Sequence, residues 1–279
     1  PLLELCNLLD HKHCFHHILN LWIKTQGKII QNQVRPLVSQ LDSLPFPDRV
    51  LYKKFRFLQR TQKAFITGRG CPFSCTYCFN ASLRKLYKDK GPYVRRRSAE
   101  NVMKEILAVK AAESMRTVYF QDDTFTLNKP WLGHFLKEYQ DRINLPFLCL
   151  ITADSITREL TGLLKRAGCI RAFFGIETGS ETMRFQVLKK RISNEMIRNT
   201  GKWLKQARIR FRTYNMLGLP HETLEQAFST VEINQQVQPD YPWCSLYFPF
   251  PGTELAETSQ RENLWAPKSS GQSTPRSFF

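Results

Sequence analysis

The stretch GRGCPFSCTYCFN (residues 68–80) contains three closely spaced cysteines. Cys71, Cys75 and Cys78 form a C-x3-C-x2-C pattern directly after a short β-rich run that ends in glycines. Three thiolates can hold a four-iron cluster while one iron keeps no protein ligand, and such an open position can bind a substrate or cofactor. The pattern therefore predicts a 4Fe-4S cluster held by these three cysteines.

Two other interpretations use the same cysteines. A structural zinc ion takes four ligands, and the nearest further Cys or His residues along the chain are His17 and His134, so zinc would need a distant fourth ligand. Such a chain would be a non-catalytic zinc-binding interaction module. A redox dithiol at Cys75 and Cys78 would leave Cys71 without a role.

Strand-like and helix-like segments alternate on the C-terminal side of the cysteines. The β-rich runs are KAFITGRG (63–70), RTVYFQDD (116–123), PFLCLIT (146–152), RAFFGIE (171–177), RFRTYNMLG (210–218) and WCSLYFPF (243–250). Helical patterns cover residues 98–113, 129–142, 156–167, 193–207 and 222–236. This alternation is typical of a parallel α/β sheet. Polar residues at the strand ends favour a partial (β/α)6 barrel over residues 63–255, and a doubly wound sheet is the alternative.

The two flanks differ from this pattern. Residues 1–45 are predicted to form a short N-terminal helix and a hairpin that turns at Gly27. Residues 46–62, which contain prolines, are predicted to be a linker into the barrel. The polar, Ser-rich C-terminal segment, 256–279, is predicted to be disordered. Because the chain starts at Pro1, we expect it to be a fragment of a longer protein.

Composition limits the possible partners and the cellular compartment. The chain has 279 residues, and 42% of them are apolar. None of its apolar runs is as long as a membrane span, so no membrane-spanning helix is expected. Its eight cysteines are scattered irregularly, which favours a reducing compartment, so we predict a cytoplasmic location. The net charge of +17 permits a nucleic-acid partner, but no RNA-recognition signature accompanies the basic runs.

The cysteine motif resembles the signature of the radical S-adenosylmethionine (SAM) superfamily, C-x3-C-x-aromatic-C, with Tyr77 as the aromatic residue. Further segments resemble the branch of that superfamily that carries an N-terminal cobalamin-binding domain. These segments are VYFQDDTF, FFGIETGSE, NMLGLPHET and FPFPGTEL, in this order, and the likeness covers residues 21–255. His221 departs from the second glycine that the branch often has there. The resemblance implies that residues 1–45 are the remnant of an upstream, cobalamin-binding domain and its connecting hairpin.

The resemblance also implies which residues contact the methionine part of SAM. Asp122, at the end of the second barrel strand, occupies the position that binds the methionine ammonium group, and Asp123 is the alternative because adjacent strand residues face opposite ways. An arginine is expected to bind the methionine carboxylate with its guanidinium fork. The candidates are Arg184 and Arg191.

Three further positions correspond to contacts with the nucleoside part of SAM. Tyr77 is expected beside the adenine, where an aromatic ring offers stacking area. Glu177 is expected to accept hydrogen bonds from the ribose hydroxyl groups. The segment that begins at Leu217 is expected to contact the adenine.

The resemblance implies an enzyme that binds a 4Fe-4S cluster and SAM, and cleaves SAM reductively to a 5′-deoxyadenosyl radical. The expected substrate is a small metabolite or lipid precursor, with methyl transfer or rearrangement as the reaction and cobalamin as a possible further cofactor. The expected electron donor is a flavodoxin or ferredoxin. The alternative within the superfamily is RNA modification of the methylthiotransferase type, which the basic charge favours.

Overall fold

A parallel sheet and the helices around it form most of the computed structural model, which describes residues 1–52, 54–55 and 60–264. The strands are β1 (Trp22–Thr25), β2 (Lys28–Gln31), β3 (Gln62–Phe65), β4 (Gly68–Arg69), β5 (Arg95–Arg96), β6 (Thr117–Phe120), β7 (Phe147–Leu150), β8 (Cys169–Glu177), β9 (Arg210–Leu217) and β10 (Tyr241–Leu246). The helices are α1 (Leu2–Asp10), α2 (Phe79–Leu86), α3 (Ala99–Ala112), α4 (Lys129–Arg142), α5 (Arg158–Arg166), α6 (Glu181–Gln186), α7 (Asn194–Gln206), α8 (Leu224–Val237) and α9 (Glu254–Arg261).

The order of the strands distinguishes a barrel from a doubly wound sheet. Strands β3, β6, β7, β8, β9 and β10 lie side by side in chain order, and each neighbouring pair is parallel. A doubly wound sheet reverses its order at a switch point, whereas strands that always add on one side form the wall of a barrel. Within the described residues β3 and β10 are the two edges of this sheet, so the barrel is partial. The predicted partial (β/α)6 barrel is confirmed.

Polar side chains cap the N-termini of the barrel helices. The hydroxyl groups of Ser98, Thr157, Ser193 and Thr223 each accept a hydrogen bond from a backbone amide in the first turn of the helix that follows. Such a cap satisfies an amide that has no partner within the helix, and removing one costs about 1 kcal/mol. The sequence places helix α4 at the correct residues and helices α3, α5, α7 and α8 to within about two residues, whereas it did not predict α6.

Large apolar side chains fill the space between the sheet and the helices. The ring of Phe120 stacks on that of Phe125, with their centroids 4.6 Å apart, and meets the rings of Phe135 and Phe147 edge to face at 5.4 Å. All four side chains are buried. Each contributes about 1.5–3 kcal/mol by leaving water, so this cluster fixes α4 against the sheet.

Both flanks are described in part. The helix α1 and the hairpin of β1 and β2, which turns at Gly27, agree with the prediction. In the linker 46–62 the structure has a short 3-10 turn at Val50–Tyr52, while residues 53 and 56–59 lie outside the described residues. None of the helices in the described part of the chain is long and apolar enough to cross a membrane.

The prediction of disorder over residues 256–279 is wrong for its first part. Helix α9 occupies Glu254–Arg261, and the hydroxyl group of Thr253 caps it. Leu255 and Ala256 are buried, and Leu255 packs with Leu188 and Leu219, so burial of apolar area outweighs the polar composition of the segment. Residues 265–279 lie outside the described residues.

The predicted first strand, residues 63–70, is also corrected. It divides into β3, which belongs to the barrel, and β4, which pairs antiparallel with β5. The two-stranded unit β4 and β5 leads the chain from the sheet edge into the cysteine loop.

Candidate active site

A cavity of about 850 Å³ lies at the C-terminal ends of the barrel strands. Cys71, Cys75 and Cys78 line it, and so do residues that follow or end other strands, among them Asp123 after β6 and Glu177 at the end of β8. Parallel strands bring their C-terminal ends to one rim, where α/β barrels hold their functional groups. The structure therefore brings the cysteines and two of the predicted carboxylates to one cavity.

The cysteine loop is held by its buried threonine. The backbone amide of Thr76 donates to the carbonyl of Leu188, its hydroxyl group donates to the carbonyl of Val187, and its own carbonyl accepts from the amide of Leu255. These bonds attach the loop both to the segment after α6 and to helix α9. The loop is therefore positioned by residues more than a hundred positions away in the sequence.

The three thiols of the loop are free and half-buried. Burial raises the pKa of Cys71 to about 11, and it also raises the pKa of Cys75, although the Lys190 ammonium group opposes the shift there. Both groups are thus neutral thiols at pH 7 in the absence of a bound cation. A positively charged iron cluster would stabilise the thiolate forms, since deprotonated sulfur is the ligand that iron binds.

Gly70 allows the chain to enter the cysteine loop, because its φ is +87° and a Cβ there would lie 2.4 Å from the carbonyl oxygen of Tyr93. We therefore expect Gly70→Ala to lower the free energy of unfolding by about 1–3 kcal/mol, through backbone strain and overpacking. Gly133→Ala is the matched control, because Gly133 lies in helix α4 and its added Cβ would meet no described atom within 4 Å apart from the adjoining backbone of the helix itself. This control should raise stability by about 0.5–1 kcal/mol. Urea unfolding measures both changes, and a loss in the control as large as that in Gly70→Ala would contradict the role of Gly70.

The two adjacent aspartates have different surroundings. Asp122 is buried, and its carboxylate accepts hydrogen bonds from the amide and the hydroxyl group of Thr67, while the Arg96 guanidinium lies 4.0 Å away. Burial raises the pKa of Asp122, and the bonds from Thr67 oppose that shift. Asp123 is exposed, lines the cavity and accepts a hydrogen bond of 2.9 Å from the Asn80 amide. Of the two candidates for the ammonium group, the one that lines the cavity is therefore Asp123.

Glu177 ends strand β8 in a left-handed conformation, with a φ of +71° at a break in the register with β9. Its carboxylate oxygen Oε1 accepts hydrogen bonds from the Tyr77 hydroxyl group at 2.9 Å and from the Lys190 ammonium group at 2.7 Å. A Cβ on Gly175 would lie 1.8 Å from that oxygen, so only glycine leaves room for it. Burial and the Glu177 charge raise the pKa of Tyr77 well above its usual value, which keeps Tyr77 a hydrogen-bond donor.

The two candidate arginines are also distinguished by the structure. Arg184 is fully buried, and its guanidinium donates to the backbone carbonyls of Ile176, Thr178 and Ile192. Arg191 is exposed and lines the cavity. Of the two candidates, Arg191 therefore reaches the cavity, whereas the side chain of Arg184 turns away to satisfy carbonyl groups beside α6.

Leu217 ends β9 but does not line the cavity, whereas Tyr214, three residues earlier on the same strand, does. The sequence also failed to identify Gly175 and Lys190 as site residues. Lys190 lies in LKKR (188–191), one of the basic runs that the sequence analysis considered only as possible contacts with nucleic acid.

Within residues 1–52, 54–55 and 60–264, no three or more His, Cys, Asp or Glu side chains form a group that could hold a single metal ion. His134, the nearest candidate for a fourth zinc ligand after the loop, is exposed on helix α4. The described residues thus lack the closed four-ligand set of a structural zinc site. Three thiols beside a large cavity fit the donor set of a cluster with one open iron.

Comparison with known proteins identifies the family. Residues 65–232 match the model of the radical SAM superfamily. The chain belongs to this superfamily. The match covers more than half of the 279 residues, and it confirms the predicted family and the prediction of a radical SAM enzyme.

Two curated relatives extend the likeness. An uncharacterized methyltransferase of Pyrococcus horikoshii is 27% identical over 264 residues, which are 94% of this chain and 56% of the relative. The anaerobic magnesium-protoporphyrin IX monomethyl ester cyclase of Rubrivivax gelatinosus is 24% identical, and the match covers 82% of this chain and 41% of the relative. The chain therefore spans about half the length of the curated relatives it matches.

Solved structures show the same fold. TsrM of Kitasatospora setae, a radical SAM methyltransferase solved with cobalamin and a 4Fe-4S cluster bound, gives a TM-score of 0.73 at 16% identity over 93% of this chain and 52% of its own. OxsB, a cobalamin-dependent SAM radical enzyme, gives 0.70 at 16% identity over 94% of this chain and 44% of its own. The chain therefore shares the fold of these two radical SAM enzymes.

Proposed function

We propose that this chain is the radical-forming part of a cobalamin-associated radical SAM enzyme, in which Cys71, Cys75 and Cys78 bind a 4Fe-4S cluster. The observation that carries the proposal is that these thiols line the same cavity of about 850 Å³ as Asp123, Glu177 and Arg191. When bound, the cluster supplies the one electron that cleaves SAM to methionine and a 5′-deoxyadenosyl radical.

We assign the methionine part of SAM to two cavity residues of opposite charge. The Asp123 carboxylate suits the ammonium group, and Asn80 fixes one of its oxygens. The Arg191 guanidinium suits the carboxylate, because its fork donates two parallel hydrogen bonds. Since Asp122 and Arg184 are occupied by protein partners, we assign them no contact with SAM.

We assign the ribose to Glu177, whose carboxylate is prepared for this role by its neighbours. The Lys190 ammonium and the Tyr77 hydroxyl groups both donate to oxygen Oε1 of Glu177. The second oxygen of the carboxylate has no hydrogen bond within the described residues and is available to a ribose hydroxyl group. Tyr77 is then positioned to cover the nucleoside and exclude water from this part of the cavity.

We propose that the longer protein transfers a methyl group to, or rearranges, a small metabolite or lipid precursor, with cobalamin bound by a domain preceding residue 46. The relative named as a methyltransferase and the relative named as a cyclase support this assignment. A flavodoxin or ferredoxin as electron donor and a cytoplasmic location stay predictions. RNA modification also stays an alternative prediction, and a steep salt dependence of RNA binding would support it.

The test is anaerobic reconstitution of the chain with iron and sulfide, followed by addition of SAM and a chemical reductant. We expect 5′-deoxyadenosine and methionine in equal amounts. Arg191→Gln should raise the KM for SAM about 10- to 100-fold, because a hydrogen bond to a charged group contributes about 1.5–3 kcal/mol. Arg198→Gln, which removes an exposed charge on helix α7, is the matched control and should leave KM unchanged. An intact cluster without any 5′-deoxyadenosine would contradict the proposal.

A further inference from the structure

The inner face of the sheet below the cavity carries three arginines. Side chains alternate between the two faces of a strand, and Phe173 of β8 and Tyr214 of β9 line the cavity. Two residues earlier on β8, Arg171 therefore lies on the same face as Phe173. By the same rule, Arg210 and Arg212 lie on the same face as Tyr214.

Aromatic rings surround one of these arginines. The guanidinium carbon of Arg212 lies 4.6 Å from the centre of the Tyr241 ring, 5.6 Å from that of Phe173 and 5.7 Å from that of Trp243. Its Nε atom is buried and has no hydrogen-bond partner among the described residues. The rings of Phe173 and Tyr214 are 6.4 Å apart, so this aromatic wall continues into the cavity.

The positive charges on this face are not neutralised by the described protein. Arg171 lies directly opposite Arg210 in the register of β8 and β9, and like charges so placed are unfavourable. In residues 1–52, 54–55 and 60–264, no carboxylate forms an ion pair with Arg171, Arg210 or Arg212. The outer face of the same strands is different, because Phe211 packs there in the apolar core.

We propose that this inner face binds the substrate and that the substrate is a planar organic acid. Its conjugated ring would lie against Phe173 and Tyr214, and its acidic groups would take hydrogen bonds from Arg212, Arg210 and Arg171. This inference rests on the proposed function, because the bound substrate would react with the radical that forms in the cavity above it. A neutral apolar substrate could use the rings but would leave the guanidinium groups without an anionic partner.

Titration calorimetry of the whole chain with simple aromatic probes tests this inference. Benzene-1,3,5-tricarboxylate and phenyl phosphate distinguish carboxylate from phosphate as the acidic group, and benzene-1,3,5-trimethanol is the uncharged comparison. We expect at least one of the two anions to bind with a millimolar or lower Kd, and the triol to bind at least about 10-fold more weakly, because its uncharged hydroxyl groups form weaker hydrogen bonds with guanidinium groups than an anion does.

Variants locate the binding. Arg212→Gln should weaken binding of the anion at least about 10-fold. Arg210→Gln should also weaken binding of the anion. Because Arg210 is exposed, this second variant should keep the unfolding midpoint of the parent protein. Arg198→Gln removes the same charge from the outer surface and should leave the affinity unchanged. Absence of binding by both anions, equal binding of the triol, or equal losses in Arg198→Gln and Arg212→Gln would each overturn the proposal.

The binding assay and the radical assay fail independently. Anion binding to the inner face needs no cluster, so loss of anion binding with 5′-deoxyadenosine still formed would overturn the substrate class alone. Intact anion binding without 5′-deoxyadenosine would overturn the proposed radical function alone.

Discussion

Replacing any one of Cys71, Cys75 and Cys78 with alanine is expected to abolish both the cluster and SAM cleavage. Removing one of the three leaves the cluster with two protein thiolates, because no other cysteine of the described residues lines the cavity. We expect iron and sulfide contents near zero after anaerobic reconstitution. Formation of 5′-deoxyadenosine should fall by more than about 100-fold, the upper end of the loss caused by removing an outer-shell partner of a metal ligand.

Cys244→Ala is the matched control for these variants, because Cys244 is an exposed free thiol on strand β10, away from the cavity. It should retain the full iron content and the visible absorption of the cluster. Equal loss of iron in Cys244→Ala, or a full cluster in Cys75→Ala, would refute the assignment of the ligands. Zinc bound in place of iron and sulfide would instead favour the zinc-binding alternative.

The barrel could be predicted from the sequence because its signals are local and repeated. Each strand is a β-rich run, each helix has an apolar period and a polar cap, and the alternation of the two fixes a parallel sheet. The cysteine loop could also be predicted, since C-x3-C-x2-C is contiguous. Both predictions depend on neighbouring residues in the chain and not on distant contacts.

The choice between adjacent or similar residues could not be made from the sequence. Asp122 and Asp123 differ by one position, and which of them reaches the cavity depends on Thr67, which captures the carboxylate of Asp122. The left-handed backbone conformation of Glu177 is rare for a residue other than glycine, and no sequence pattern predicts it. The pairing of Glu177 with Lys190 depends on how the segment after α6 returns to the sheet.

The burial of α9 was missed for a related reason. Its residues are mostly polar, and the apolar contacts that hold it are made by Leu255 with side chains about 35 to 70 positions earlier, Met183, Leu188 and Leu219. Thr76 of the cysteine loop also accepts a hydrogen bond from the amide of Leu255. A segment interpreted as a disordered tail thus supports the loop that carries the proposed cluster ligands.

Arg184 illustrates the same limit and leads to the second large effect. From the sequence it was a candidate for the SAM carboxylate, whereas its buried guanidinium joins the end of β8 to the segment before α7 through the carbonyls of Ile176, Thr178 and Ile192. Burial lowers the pKa of Arg184 to about 10, which is still far enough above neutral pH to keep the group charged. The charge is therefore compensated by carbonyl oxygens and by the side chain of Asn194.

Arg184→Ala is expected to lower the free energy of unfolding by about 3–5 kcal/mol, because it leaves a cavity and several buried carbonyl groups without partners. This is a large part of the about 5–15 kcal/mol that stabilises a typical domain, so the urea midpoint should fall sharply.

Arg191→Ala, which removes an exposed arginine of the same region, should change stability by no more than about 0.5 kcal/mol. Its effect should appear in the KM for SAM instead. If Arg184→Ala kept the parent's urea midpoint and bound SAM poorly while Arg191→Ala bound it normally, the two roles would have to be exchanged. The cavity geometry predicts the opposite result, because Arg191 lines the cavity and the guanidinium of Arg184 is enclosed by backbone carbonyls.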